Sequence, residues 1–208
     1  MKLKAALALL AFTAVASIAS PSDACINGVE LEIMKFHATP AGQILLAEKD
    51  LEAGRNASAA LRVRQQFSNI RSLDANAPPL GLRAQRIYAL AIVRSDGKMD
   101  AEQWTTWANR EWALETLSAL SAKKQNPVAT ADLAEAQTSL ARTRATGIAT
   151  LEDLDRRDLL GSPHAYLALA RARNAQGDAG GMLAAVRRCA MMSTDRKLCD
   201  LPEARAAV

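Results

Sequence analysis

Aromatic side chains are scarce in this chain: three tryptophans, two tyrosines and three phenylalanines are spread over 208 residues. Histidine is rarer still, with only His37 and His164, and cysteine occurs at positions 25, 189 and 199 alone. Each shortage removes a class of chemistry. The two histidines have no zinc-type spacing and no cysteine nearby, and the chain contains no G-x-S-x-G, no C-x-x-C and no phosphate-cradling glycine loop. His164 falls in the first turn of an expected helix and reads as a surface residue. No catalytic centre, metal site or cofactor is therefore expected. Long apolar runs are missing too: the stretch from Ala5 to Ala19 is shorter than the roughly 20 residues that a membrane-spanning helix needs. No Pro-, Gly- or Ser-rich linker divides the chain, so one domain is the simplest count.

The chain opens "MKLKAALALLAFTAVASIASPSDAC", with Lys2 and Lys4 ahead of an apolar stretch and then small residues. This is the layout of a secretory signal, with Ser22 and Ala24 at the positions that favour cleavage before Cys25 and with Ser17 and Ala19 offering a second cut. Export to the periplasm or beyond is the expectation. Ser22 and Asp23 argue against a lipid anchor on Cys25. Removal of residues 1–24 takes the net charge from +4 to +3, a mild excess that argues at most for weak attraction to anionic envelope components. Export makes nucleic acid a poor candidate partner.

Half of the residues are hydrophobic, and alanine and leucine carry most of that content, which suits closely packed helices. The expected organisation is a signal peptide over 1–24, an extended segment over 25–38, a helical domain over 39–192 and a tail over 193–208. In the extended segment Val29, Leu31 and Ile33 alternate with Glu30, Glu32 and Met34, a period of two. From Thr39 on, helix signals recur. Thr39-Pro40, Asn126-Pro127 and Ser162-Pro163 each place a capping residue before a proline at the first helical position. Asp100 and Gln103 form a capping-box pattern ahead of a helix to about Lys123, and Asp178 is a natural cap for the last helix. Glycines near 54, 97, 147 and 177 read as turns and Gly161 as a helix stop, giving four helical hairpins in series.

The last hairpin, "SPHAYLALARARNAQGDAGGMLAAVRRCAMM", resembles a tetratricopeptide repeat. Tyr166, Leu169 and Ala170 stand where the first helix of that repeat has an aromatic, a leucine and a small residue, and Gly177-Asp178 matches its turn. Val186 and Cys189 take later packing positions, while Met182 stands where a small alanine is usual. The first hairpin is similar through Leu46, Ala47, Gly54, Ala59 and Val63. The middle units depart from the pattern, since the turn glycines are 43, 50 and 30 residues apart, against a standard period of about 34. With "YALAIVRSDG" and "RRDLLGSPHAYLALARARNAQGD", the chain looks like the exported tetratricopeptide-type proteins of Gram-negative bacteria. The resemblance implies an all-α fold, a short right-handed α-solenoid of stacked antiparallel hairpins that binds a protein or peptide partner, and it carries over no catalytic residue.

Some residues still invite chemistry. Trp104, Trp107 and Trp112 fall on one expected helix within an arc of about 140°. Packing against the preceding helix is the ordinary role of such a strip, but an exposed Trp107, with Trp104 beside it, becomes the first candidate for ligand contact. A glycan-binding or glycan-active protein is the alternative reading, with a carboxylate from Glu152, Asp153, Asp155 or Asp158 as its acid. Helical spacing instead pairs Asp153 with Arg156 or Arg157 on a solvated face. Arg171, Arg173, Arg187, Arg188, Arg196 and Lys197 make the final hairpin the most basic region, and Arg187 and Arg188 are contact candidates for an acidic partner. Cys189 and Cys199 are expected to form a disulfide that folds the tail over the end of the stack. With Met191 and Met192 they also make a soft-ligand set that would suit copper(I), a weaker reading because adjacent methionines on a helix diverge.

Overall fold

The computed structural model describes residues 28–74, 76–99, 104–202 and 204. The leader, Cys25, and the Asp100–Gln103 pair lie outside them. Among the described residues the structure is all-helical, with nine α-helices and no strand. They are α1 (Gly28–Ala38), α2 (Pro40–Glu52), α3 (Asn56–Gln66), α4 (Pro79–Arg94), α5 (Thr106–Lys123), α6 (Pro127–Thr138), α7 (Arg144–Arg156), α8 (Pro163–Ala175) and α9 (Ala179–Met192), with 3-10 turns at Ile70–Ser72 and Arg196–Cys199. None is long and apolar enough to cross a membrane.

Segment 28–38, expected to be extended, is helical. Glu, Leu, Met and Lys are good helix formers, a lone strand would leave its backbone groups unpaired, and Lys35 reaches back to Glu32 at 3.1 Å across one turn. Its apolar residues Ile33, Met34 and Phe36 remain about half exposed.

The helix starts follow their caps. Thr39 Oγ1 accepts from the Gly42 N–H at 3.1 Å, Asn126 Oδ1 from Ala129 at 2.9 Å and Asp178 Oδ1 from Gly181 at 2.8 Å. Ser162 occupies the cap position of α8 but its side chain makes no capping bond. Two expected breaks are placed differently. Gly147 lies inside α7 rather than in a turn, because a Cβ there would stand 2.7 Å from the Ala134 carbonyl oxygen; it lets α7 press onto α6. Helix α7 ends at Arg156, before Gly161, and Asp158 takes the left-handed conformation at φ 55° that closes it.

Packing is strongest within the consecutive pairs α2/α3, α4/α5, α6/α7 and α8/α9, and the first helices of these pairs also touch in order, α2 on α4, α4 on α6 and α6 on α8. Two apolar cores result. One gathers Ile44, Val63, Ile87, Tyr88, Leu90 and Leu117 from α2–α5; the other gathers Leu151, Tyr166, Leu169, Met182 and Cys189 from α6–α9. Helix α6 serves both, giving Ala136 to the first and Ala131 and Ala134 to the second. Cys189 and Cys199 are joined in a disulfide with Cα atoms 5.8 Å apart, and the following tail packs back on α8 and α9. Leu198 of that tail reaches Gly54, the turn between α2 and α3, so the last hairpin meets the first.

Candidate functional site

The inner helices α2, α4, α6 and α8 carry charges where apolar residues would ordinarily pack, and these charges pair across the helices. In α4, Arg86 and Arg94 are eight residues apart and lie on nearly one face; in α6, Asp132 and Glu135 are one turn apart. Arg86 grips Asp132 through two bonds, at 2.6 and 3.2 Å, and reaches Glu48 of α2 at 3.4 Å. Arg83 also contacts Glu48. Arg94 holds Glu135 bidentately at 2.8 and 3.0 Å, with side chains only 8 % and 7 % exposed.

Environment sets the proton affinities along this layer. Burial raises the carboxyl of Asp132 in spite of Arg86, whereas at Glu135 the attraction of Arg94 prevails over burial and lowers it. Asp50 of α2 shows the same contest more clearly. Burial pushes its carboxyl up, but bonds from Ser58, Arg62 and Arg55 bring it down to about 2. That cluster ties α3 onto α2.

His164 is buried, not a surface residue. Helix α8 carries it to the C-terminal end of α2, where its Nε2–H donates to the free Glu52 carbonyl at 3.2 Å. Burial and then the positive charge of Arg94 bring the imidazole down to about 4, so it is neutral at pH 7. A helix's first turn is usually solvated; here the return of the last hairpin onto the first covers it.

Two cavities open on either side of this layer. One of about 310 Å³ lies among Glu48, Arg86, Asp132 and the Gly161–His164 stretch. The other, about 720 Å³, is bounded by the α2–α3 turn, the end of α4, α6, α7, the length of α8 and the tail. Arg94 and His164 line both and stand between them.

Apart from Arg171 and Lys197, which line the larger cavity, the residues singled out from the sequence sit elsewhere. Trp104 precedes the Thr105 cap of α5, so the three tryptophans do not share one helix. Trp112 is packed edge-on against Tyr88 at 5.6 Å and donates to the Arg71 carbonyl at 3.3 Å. The Arg71 guanidinium lies 4.2 Å from the Trp104 ring and 4.7 Å from that of Trp112, and bonds the buried Asn109 at 2.6 Å. Trp104 and Trp107 face solvent, 48 % and 66 % exposed. Asp153 pairs with Arg156 and Arg157, Asp155 with Arg173, and Asp158 with Arg188. Neither of the two cavities is lined by Trp104, Trp107 or an acid from 152–158. Arg187 is exposed beside a small apolar hollow of Leu183, Val186, Leu201 and Ala204. Cys189 and Cys199 are bonded to each other and Met191 is 81 % exposed, and among the described residues no group of three or more His, Cys, Asp or Glu gathers as a metal site.

The Arg86–Asp132 and Arg94–Glu135 layer was missed by sequence reasoning, although its signal is present. The arginines in "LRAQRIYALAIVR" and the acids in "ADLAEAQ" stand on the faces that alanine and leucine assign to the interior. No protein-family model, curated protein or solved structure matches this chain.

Proposed function

We propose that this chain is an exported, non-catalytic helical-repeat protein of the tetratricopeptide type that holds a protein or peptide partner in the cell envelope. The leader-like first residues support export, and the serial hairpins with successive contacts among α2, α4, α6 and α8 support the repeat reading. The observation that carries the binding reading is the exposure of Trp104 and Trp107 at the start of α5. Tryptophan is the residue type most enriched at the centres of protein interfaces. Trp104 is also held in place by Arg71, so it meets a partner as a fixed platform.

The test is affinity capture with crosslinking from an envelope extract, using the mature chain and its Trp107→Ala variant in parallel. Because the Trp107 ring is largely in solvent, the variant is expected to fold normally. A defined partner enriched by the wild type and depleted about tenfold by the variant supports the reading. A capture profile that matches an unrelated helical bait overturns it.

A further inference from the structure

We propose that the 720 Å³ cavity is a binding site for a small polyanion, a di- or tricarboxylate or a phosphate ester. The inference is independent of the partner surface at Trp107. A volume of 720 Å³ lies within the roughly 300–1,000 Å³ of small-molecule sites, and this partly open hollow takes its walls from all four hairpins and the tail.

Charge accounting gives the ligand class. Four cations line the cavity: Arg94, Arg144, Arg171 and Lys197. Arg94 is consumed by Glu135. Among the described residues the other three, all exposed at the rim, form no ion pair; Arg171 adds to the field on Glu135, and Arg144 donates to the Thr138 carbonyl at 3.2 Å. The lining acids, by contrast, are engaged. Glu135 is held by Arg94, Asp96 faces Arg110 at 3.7 Å, and Asp200 has a partner as well. Arg144 and Arg171 come from different helices and Lys197 from the tail, so the chain brings unbalanced positive charge to one hollow from three directions. A single-charge ligand would leave most of it uncompensated, whereas two or three negative groups match it.

Leu167, Ala168 and Ala172 give the floor an apolar surface for the ligand's carbon skeleton.

Isothermal titration of the full mature chain with citrate, glucose 6-phosphate, inorganic phosphate and glucose tests the proposal. Citrate or glucose 6-phosphate is expected to saturate one site with a Kd below about 1 mM, and the better of the two tells carboxylate from phosphate. Arg171→Gln and Lys197→Gln should each weaken that binding about tenfold, with thermal midpoints showing that both variants fold, while Arg156→Gln on the exposed side of α7 should leave it within about twofold. The proposal is overturned if none of the anions saturates, if glucose or inorganic phosphate binds as tightly as the polyanions, or if Arg156→Gln costs as much as Arg171→Gln. Binding of an octaglutamate peptide through Arg171 with no binding of the small anions also overturns it, and would make the cavity a peptide site.

Discussion

Arg94, Glu135 and His164 form a buried group of two opposite charges and one imidazole that burial, and then the charge of Arg94, keeps neutral. The imidazole takes up its proton near pH 6.5 when unfolded but only at about 4 when folded. Above pH 6.5 neither state is protonated and the full stability is present. As pH falls from 6.5 toward 4 the unfolded chain binds the proton first, so stability falls, by roughly 3 kcal/mol once pH 4 is passed. The folded Asp50 carboxyl has the same sign lower on the scale: its contribution is present above pH 3.8 and lost as pH falls toward 2. Urea unfolding at pH 7 and pH 4.5 should therefore show a marked loss for the wild type and a much smaller one for His164→Gln. An equal loss in both would show that the pH response lies in other groups.

Capped helix starts were the most legible elements in the sequence. Thr39, Asn126 and Asp178 announce their helices because side-chain capping is a local bond between residues three apart, which a sequence displays directly. The helical hairpins follow from the same local signals, and the Cys189–Cys199 bridge from two cysteines ten residues apart in one short stretch. What depends on distant partners was not legible. Gly147 looks like a turn until Ala134 is brought against it, and His164 looks exposed until α2 arrives from 112 residues away. The alternation at 29–33 suggested a strand because a short amphipathic segment does not by itself choose between periods of 2 and 3.6. Trp104 and Trp107 were readable as a pair, but which of the three tryptophans is packed was decided by Tyr88 and Arg71. The close approach at Gly147 gives a direct test at this scale. Gly147→Leu has no room beside the Ala134 carbonyl and should cost about 1–3 kcal/mol or more in denaturant unfolding, by forcing α7 away from α6. Stability unchanged in that variant would mean that α7 does not sit where Gly147 places it.

Among the described residues there are two apolar cores, and α6 contributes to both. Breaking either core exposes one face of α6, and loss of α4 strands both Asp132 and Glu135 without their arginines, which is why the halves should unfold together. All three tryptophans belong to the first half, at or in α5, while far-UV circular dichroism reports every helix. Coincident urea transitions by tryptophan fluorescence and circular dichroism are expected; a fluorescence transition at clearly different urea would show two independent units. The contact of Leu198 with Gly54 adds a consequence in time. During synthesis the first hairpin emerges well before the tail, and domains form as their segments become available. The 720 Å³ cavity takes walls from the first hairpin and from residues 197–200, so it does not exist in any nascent form that lacks that segment. Emergence of residues 197–200 and closure of the cavity are thus the same event, and a product cut before them would keep its helices yet offer nowhere for a small ligand to sit.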